Sequence, residues 1–217
     1  MVIFQNSTEL RPTGGFAGSL AIINVRLGKV DKVEIPGGGP YDFQGSLKHT
    51  IAPPEPLRLV RGEWQLQDAN WFFDFPTSAQ KILWFLKESG GGDMNGVIAL
   101  TPDVVTNILS VTGPINLPNY DKTVTAANFL NVTQAAVEVE YDRVANKPKQ
   151  FIADLAAKLI ERLLTLTAEQ KMALSRILMQ SLTSKSLQIY LTNPELQNKL
   201  AGFGWTGQVA TAPLDYL

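Results

Sequence analysis

The chain has 217 residues, of which 45% are hydrophobic and 18% charged, with a formal net charge of −1. That length admits one sizeable buried core, and the composition is globular rather than disordered. The near-neutral balance excludes a molecule drawn as a whole to nucleic acid or an anionic membrane, and the lack of cysteine excludes disulfides, thiolate metal sites and cysteine nucleophiles.

Val2 to Asn6 is a short apolar strand candidate. It begins with no signal peptide or other lead-in, as expected of a chain cut at a domain edge, and no apolar run approaches membrane-span length. Glu9 to Gly15 follows as a turn-rich loop, its proline and paired glycines giving a tight path. Ser19 to Arg26 is almost continuously apolar, which predicts a strand buried on both faces. Leu27-Gly28-Lys29 turns the chain into Val30 to Ile35, whose alternation predicts a hairpin partner with one face in water. Pro36 to Pro40 and Ile51 to Pro56 read as loops, and the single histidine, His49, as exposed to solvent.

Thr77-Ser78-Ala79-Gln80 has the form of a capping box, with a hydroxyl at the N-cap and an amide three residues on. Ala79, Ile82, Leu83 and Leu86 then share one helical face, and Gly90-Gly91-Gly92 ends the helix. Gly96 to Leu100 is a compact strand. Thr101-Pro102-Asp103 opens a second helix with a capping hydroxyl, an early proline and an acid at the positive dipole end, and Gly113-Pro114 stops it. Beyond lie predicted helices over Thr125 to Tyr141, Pro148 to Leu166, and from the capping box Thr167-Ala168-Glu169-Gln170 to about Leu182. Leu187 to Leu191 reads as a strand, and a short helix runs from Asn193-Pro194-Glu195 to Gly202. The order implies one α/β domain over residues 1–217. It is expected to be a three-layer sandwich with a central mixed sheet, helices on both faces and a helix-rich C-terminal half.

The stretch Gln67-Asp68-Ala69-Asn70-Trp71-Phe72-Phe73-Asp74-Phe75-Pro76 concentrates acids, an amide and four rings. Burying rings offsets the cost of ordering backbone, so this segment is expected to be pinned on the core, facing the Glu9–Gly15 loop. The rings from Trp71 to Phe75 are expected to be core rather than a carbohydrate-stacking shelf. No Walker loop, dinucleotide glycine fingerprint, HExxH helix or nucleophile elbow is present.

What remains is a constellation of Arg11, Arg58, Arg61, Asp68, Asn70 and Asp74. Arginine forks suit phosphate or carboxylate, Asp68 and Asp74 would suit a hard cation such as Mg²⁺, and the helix start near Thr77 would offer N–H donors to an anion. The structural alternative is an ion pair from Arg11 to Asp68 or Asp74 that fixes two loops in register, with Asn70 capping backbone groups.

Glu-Leu-Arg-Pro-Thr-Gly-Gly-Phe (9 to 16), Asp-Ala-Asn-Trp with Asp-Phe-Pro-Thr-Ser-Ala (68 to 79), and Gly-Val-Ile-Ala (96 to 99) through Thr-Gly-Pro (112 to 114) closely resemble the bacterial domain-of-unknown-function family 4012. The resemblance implies an extracytoplasmic domain behind an N-terminal membrane anchor and carries no established activity. More distantly, the order of parts resembles the LytR-CpsA-Psr envelope phosphotransferases, which move glycans from polyprenyl-pyrophosphate carriers to the cell wall with Mg²⁺. On that resemblance Arg11 would grip phosphate and Asp68 to Trp71 would form the polar segment. The acid that follows the loop arginine in those enzymes is replaced here by Pro12-Thr13-Gly14. Gln67, Asn95 and Thr101 stand where the family pattern has Arg, Asp and Asp.

A kept frame with lost charge leads to the expectation of a non-catalytic envelope domain that binds a glycan, a lipid-linked glycan or a protein partner, with no nucleic-acid partner. Glu9, Thr13, Gly14, Gly15, Arg58, Arg61, Asn70, Trp71 and Thr77 would line its site. The alternative is an Mg²⁺-dependent phosphotransferase or pyrophosphatase acting on a polyprenyl-linked glycan. It would use Arg11, Asp68 and Asp74 catalytically, the two acids holding the metal.

Overall fold

The computed structural model describes residues 1–139 and 149–210. In chain order it forms β1 (Val2–Asn6), β2 (Phe16–Arg26), β3 (Lys29–Glu34), α1 (Phe75–Glu88), β4 (Gly96–Leu100) and α2 (Pro102–Thr112). There follow β5 (Ile115–Leu117), β6 (Lys122–Val124), α3 (Phe129–Glu138), α4 (Gln150–Leu164), α5 (Ala168–Ser184), β7 (Leu187–Leu191) and α6 (Pro194–Gly202). Short 3₁₀ turns at Gly39–Phe43, Glu55–Leu59 and Leu66–Asp68 punctuate the long connection between β3 and α1.

Five strands make one mixed sheet in the order β3-β2-β1-β4-β7. β1 and β4 run parallel, in register from Val2 opposite Ile98 to Phe4 opposite Leu100, and the other neighbouring pairs are antiparallel. Alternation along β4 divides the core. Val97 and Ala99 pack with Ile3, Leu20 and the α1 residues Ala79, Ile82, Phe85 and Leu86. Ile98 and Leu100 turn to the opposite face, with Val104 of α2 and Leu182 of α5. Side chains on a strand alternate faces, so one apolar strand serves both layers, and the sandwich with helices on both faces is the fold observed. A further cluster joins Leu109, Val124, Phe129, Phe151 and Leu155 beneath the β5–β6 hairpin. Tyr120 donates a 2.6 Å hydrogen bond to Asp154 there, and burial together with this carboxylate pushes the phenol's pKa well up.

Several expectations are corrected. β2 is buried only through Ala21; Asn24 to Arg26 are exposed, and so is most of β3. The outer half of this hairpin runs past the layer that would cover it, which leaves Val25 64% exposed. α1 starts at Phe75 with Asp74 as its N-cap, so Thr77 lies inside the helix. α3 starts at Phe129 rather than Thr125. Thr125 N–H donates to Asn128 Oδ1 (2.7 Å) and Asn128 N–H to Thr125 Oγ1 (3.2 Å), a reciprocal turn that competes with helix. The expected end at Tyr141 and the start at Pro148 fall outside the described residues. The β5–β6 hairpin was not anticipated, because three-residue strands are too short to show a period.

Candidate binding site

β1 and β4 lie side by side where the strand order reverses, and in open α/β sheets the carboxyl ends at such a point are where ligands bind. β1 ends in Gln5 and Asn6, displaced by an irregularity in its pairing with β2 after Phe4, and hands over to the Glu9–Gly15 loop. β4 ends at Leu100 and is followed by Thr101, whose hydroxyl donates to Asp103 at the start of α2. Gly15 holds the loop against the strand. A Cβ there would stand 2.4 Å from Asn6 O, at a φ of +156°, so the close approach needs glycine.

The loop and the segment 67–70 are neighbours, as expected. Arg11 Nη2 donates to Asp68 Oδ1 at 2.9 Å, and two residues on Asn70 Nδ2 donates to Thr13 Oγ1 (2.9 Å) and Gly15 O (2.7 Å). The Arg11 guanidinium lies 5.1 Å from the Phe16 ring centroid. Arg61 Nε approaches Asp68 Oδ2 at 3.5 Å. Asp68 is 1% exposed and Asn70 fully buried, so a charge and an amide are both held away from water by these partners. The segment itself is pinned by Trp64, whose indole N–H donates to Asp68 O at 2.9 Å and whose ring meets Phe85 edge-on at 5.3 Å. Trp71 and Phe72 pack partly on the core and Phe75 wholly within it. Phe73 departs from the expected pattern, because at 79% exposure it faces solvent.

Asp74 and Thr77 belong to a different arrangement. Asp74 Oδ2 accepts from Thr77 N–H (3.1 Å) and Thr77 Oγ1 (2.6 Å), and its Oδ1 accepts from Val209 N–H (3.1 Å). Burial alone would raise the Asp74 pKa, but the bonds from the Thr77 hydroxyl, Val209 N–H and Thr77 N–H outweigh it and lower the value. The anion position expected at this helix start is therefore filled by the protein's own carboxylate. Arg58 is exposed and its Nε donates to Pro53 O at 3.3 Å. Glu9 is exposed, accepts from Asn6 Nδ2 (3.2 Å) and closes the loop through Phe16 N–H to Glu9 O (2.9 Å). The structure thus brings together Arg11, Thr13, Gly14, Gly15, Arg61, Asp68 and Asn70, with Glu9 at the loop's rim. Among the described residues no group of three or more His, Asp or Glu side chains is arranged to hold a metal. With Asp68 facing two guanidinium groups and Asp74 capping a helix, the two acids expected to bind Mg²⁺ do not fit that role.

Sequence reasoning overlooked Gln5 and Gln188, and noted Thr101 only as a helix cap and a position where a charge is missing. Gln5 Nε2 donates to Thr13 Oγ1, and Gln188 Nε2 reaches Thr13 O (3.4 Å) and Lys185 O (3.0 Å). Thr101 Cγ2 lies against the position a Gly14 Cβ would take. The available signal was a polar residue inside an otherwise apolar strand, in Val-Ile-Phe-Gln and again in Leu-Gln-Ile-Tyr-Leu.

A family model described as Protein of unknown function (DUF4012) matches residues 1–137. The chain belongs to this family. The matched DUF4012 span carries β1 to β6, the Arg11 loop and the Asp68–Asn70 segment. Gln188 on β7 and the Gly207–Val209 strap lie beyond it yet complete the same surroundings, because β7 pairs with β4 and Gly207 O accepts from Phe75 N–H. No curated protein matches the chain.

Proposed function

We propose that this DUF4012 chain is a non-catalytic extracytoplasmic envelope domain. Its seam between the Glu9–Gly15 loop and residues 67–70 holds a glycan, a lipid-linked glycan or a protein partner. The observation that carries this reading is the condition of Asp68. It is 1% exposed, with Arg11 on one oxygen and Arg61 on the other. To hold a metal ion it would have to draw a second cation up against both guanidinium groups, whose like charge opposes it, or give up those partners at a cost of about 3–5 kcal/mol. The amides beside it, by contrast, keep hydrogen-bonding atoms free, which is the equipment of a binder. In this reading a segment preceding the domain tethers it to the membrane. Among the described residues no helix is long and apolar enough to cross one.

The rival reading is the metal-assisted phosphotransferase or pyrophosphatase acting on a polyprenyl-linked substrate, in the manner of the LytR-CpsA-Psr enzymes. Incubation with geranyl pyrophosphate and Mg²⁺ separates the two. The expected result is phosphate release no greater than that of an Arg11→Lys variant, which keeps a cation beside Asp68 but loses the fork. Release by the native chain clearly above that variant refutes the binding-only reading.

A further inference from the structure

The seam buries several hydrogen-bonding atoms that the polypeptide leaves without partners: Arg11 Nε, both amide atoms of Gln67, Asp68 Oδ2, Asn70 Oδ1 and Gln188 Oε1. Gln67 is 1% exposed and Gln188 7%. These groups adjoin one another. Arg11 pairs with Asp68, Asn70 and Gln188 both bond Thr13, and Gln67 precedes Asp68 in the same 3₁₀ turn. Each unpaired buried polar group costs about 1–3 kcal/mol, and native domains keep only a few per hundred residues. Such a concentration beside one loop points to a partner supplied from outside the chain.

The chemistry of that partner follows from which atoms are free. Asn70 Nδ2 is committed to Gly15 O, a carbonyl that can only accept, so its Oδ1 is the end left over. Gln188 is fixed in the same way, its Nε2 serving the carbonyls of Lys185 and Thr13 and its Oε1 remaining. Asp68 Oδ2 faces Arg61 at 3.5 Å without a hydrogen bond. Of the free atoms whose character is settled, three accept and one, Arg11 Nε–H, donates. Gln67 can present either end of its amide.

We propose that the ligand of this site is a neutral, hydroxyl-rich glycan engaged through its O–H donors, and that a pyrophosphate group is not what the seam reads. The proposal rests on the binding reading above and selects among its ligands. A sugar hydroxyl both donates and accepts, so the same kind of group can serve a free oxygen here or the Arg11 N–H. A pyrophosphate diester presents acceptors alone and would set oxygen against oxygen at Asp68, Asn70 and Gln188. A ligand would reach these buried atoms by displacing Arg61, whose side chain is 36% exposed and pairs with Asp68 at 3.5 Å. Leu10, Leu59 and Val60, each at least 74% exposed beside the two arginines in sequence, provide apolar surface for the C–H face of a sugar ring.

The test uses the whole chain and follows the side-chain amide signals of Gln67, Asn70 and Gln188 by NMR. Neutral oligosaccharides of glucose, mannose and N-acetylglucosamine are compared with inorganic pyrophosphate and geranyl pyrophosphate. A Gln67→Met variant removes the free amide at similar volume. The expected result is that an oligosaccharide shifts those amide signals and the pyrophosphates do not. Gln67→Met should raise the melting temperature of the free protein while weakening oligosaccharide binding by about tenfold, the scale of one net hydrogen bond. Amide shifts produced by pyrophosphate overturn the choice of a neutral ligand and leave the binding reading standing. No response to any oligosaccharide overturns the proposal, the free atoms then being met by buried water. Failure of the binding reading itself shows separately, as catalytic phosphate release.

Discussion

Replacing Arg11 by methionine tests whether the loop and the ring-rich segment are held together electrostatically. The substitution keeps most of the aliphatic stem but removes the fork that donates 2.9 Å to Asp68. Asp68, 1% exposed, would be left with only the looser approach of Arg61 at 3.5 Å. Breaking a buried pair from one side costs about 3–5 kcal/mol. In a domain of this size each kcal/mol moves the melting temperature by about 2–4 °C, so a fall of about 6–20 °C is expected. Adding Asp68→Leu should recover most of the loss. The stranded carboxylate disappears, Arg61 is left with part of its surface in water, and the Trp64 bond to the backbone carbonyl of residue 68 survives. Thermal unfolding by circular dichroism and urea midpoints would measure all three proteins. A single variant within 1 kcal/mol of the native chain, or a double variant no better than the single, would refute the reasoning.

Asp74→Ala removes the acceptor of Thr77 and Val209 and should cost about 0.5–2 kcal/mol, the usual range for losing an N-cap. Because hydrogen bonds hold the folded Asp74 pKa below its unfolded value, this contribution is complete above an ordinary aspartate pKa of about 4 and fades as pH falls through the folded value. Urea midpoints of native and variant chains should therefore differ at pH 7 and converge toward pH 2; an undiminished gap would mean that the charged cap is not the cause. Gly15→Ala drives a Cβ to 2.4 Å from Asn6 O, whereas Gly28, at φ +73°, has nothing within 4 Å. Gly28→Ala should lose about 1–2 kcal/mol from its left-handed backbone and Gly15→Ala distinctly more. Equal denaturant midpoints for the two would show that the loop yields without strain.

Short-range chemistry made much of this chain readable. The helix from Thr167 was visible because its capping box is complete within four residues: Thr167 Oγ1 accepts from Gln170 N–H and Gln170 Oε1 from Thr167 N–H. The starts of α2 and α6 were legible from a cap-type residue followed by proline; Asn193 accepts from Leu196 N–H as expected, whereas the Thr101 hydroxyl makes no capping bond and goes to Asp103 instead. At Asp74 two residues competed for one role. Asp74 and Thr77 are both good caps; Asp74 takes the role, accepting from Thr77 N–H and hydroxyl and from Val209, 135 residues away in sequence. Gly207 and Val209 lie along the first turn of α1, Val209 N–H donates to Asp74, and Phe75 is drawn fully into the core. The local part of the signal, Pro76 in the first turn and the Thr77 N–H and hydroxyl within reach of Asp74, was present but overlooked; the Val209 bond was not visible locally.

The site divides along the same line. Rings that must be buried, an arginine among glycines and a nearby acid were enough to place the Arg11 loop against Asp68 and Asn70, since local composition constrains which segments can be pinned on a core. The polar floor beneath them could not be read this way. Gln188 comes to Thr13 across 175 residues, because β7 adds to β4 in antiparallel register and sets that amide at the carboxyl end of the parallel pair. By itself the sequence determined the longer elements, the layered architecture and the two facing segments, which follow from periodicity, caps and the need to bury rings, while the short β5–β6 hairpin escaped it. Only the tertiary structure decided which acid is spent on a helix, which is locked between arginines and which amides remain free. Those outcomes depend on contacts between segments far apart in sequence, such as Arg11 with Asp68, Asp74 with Val209 and Gln188 with Thr13.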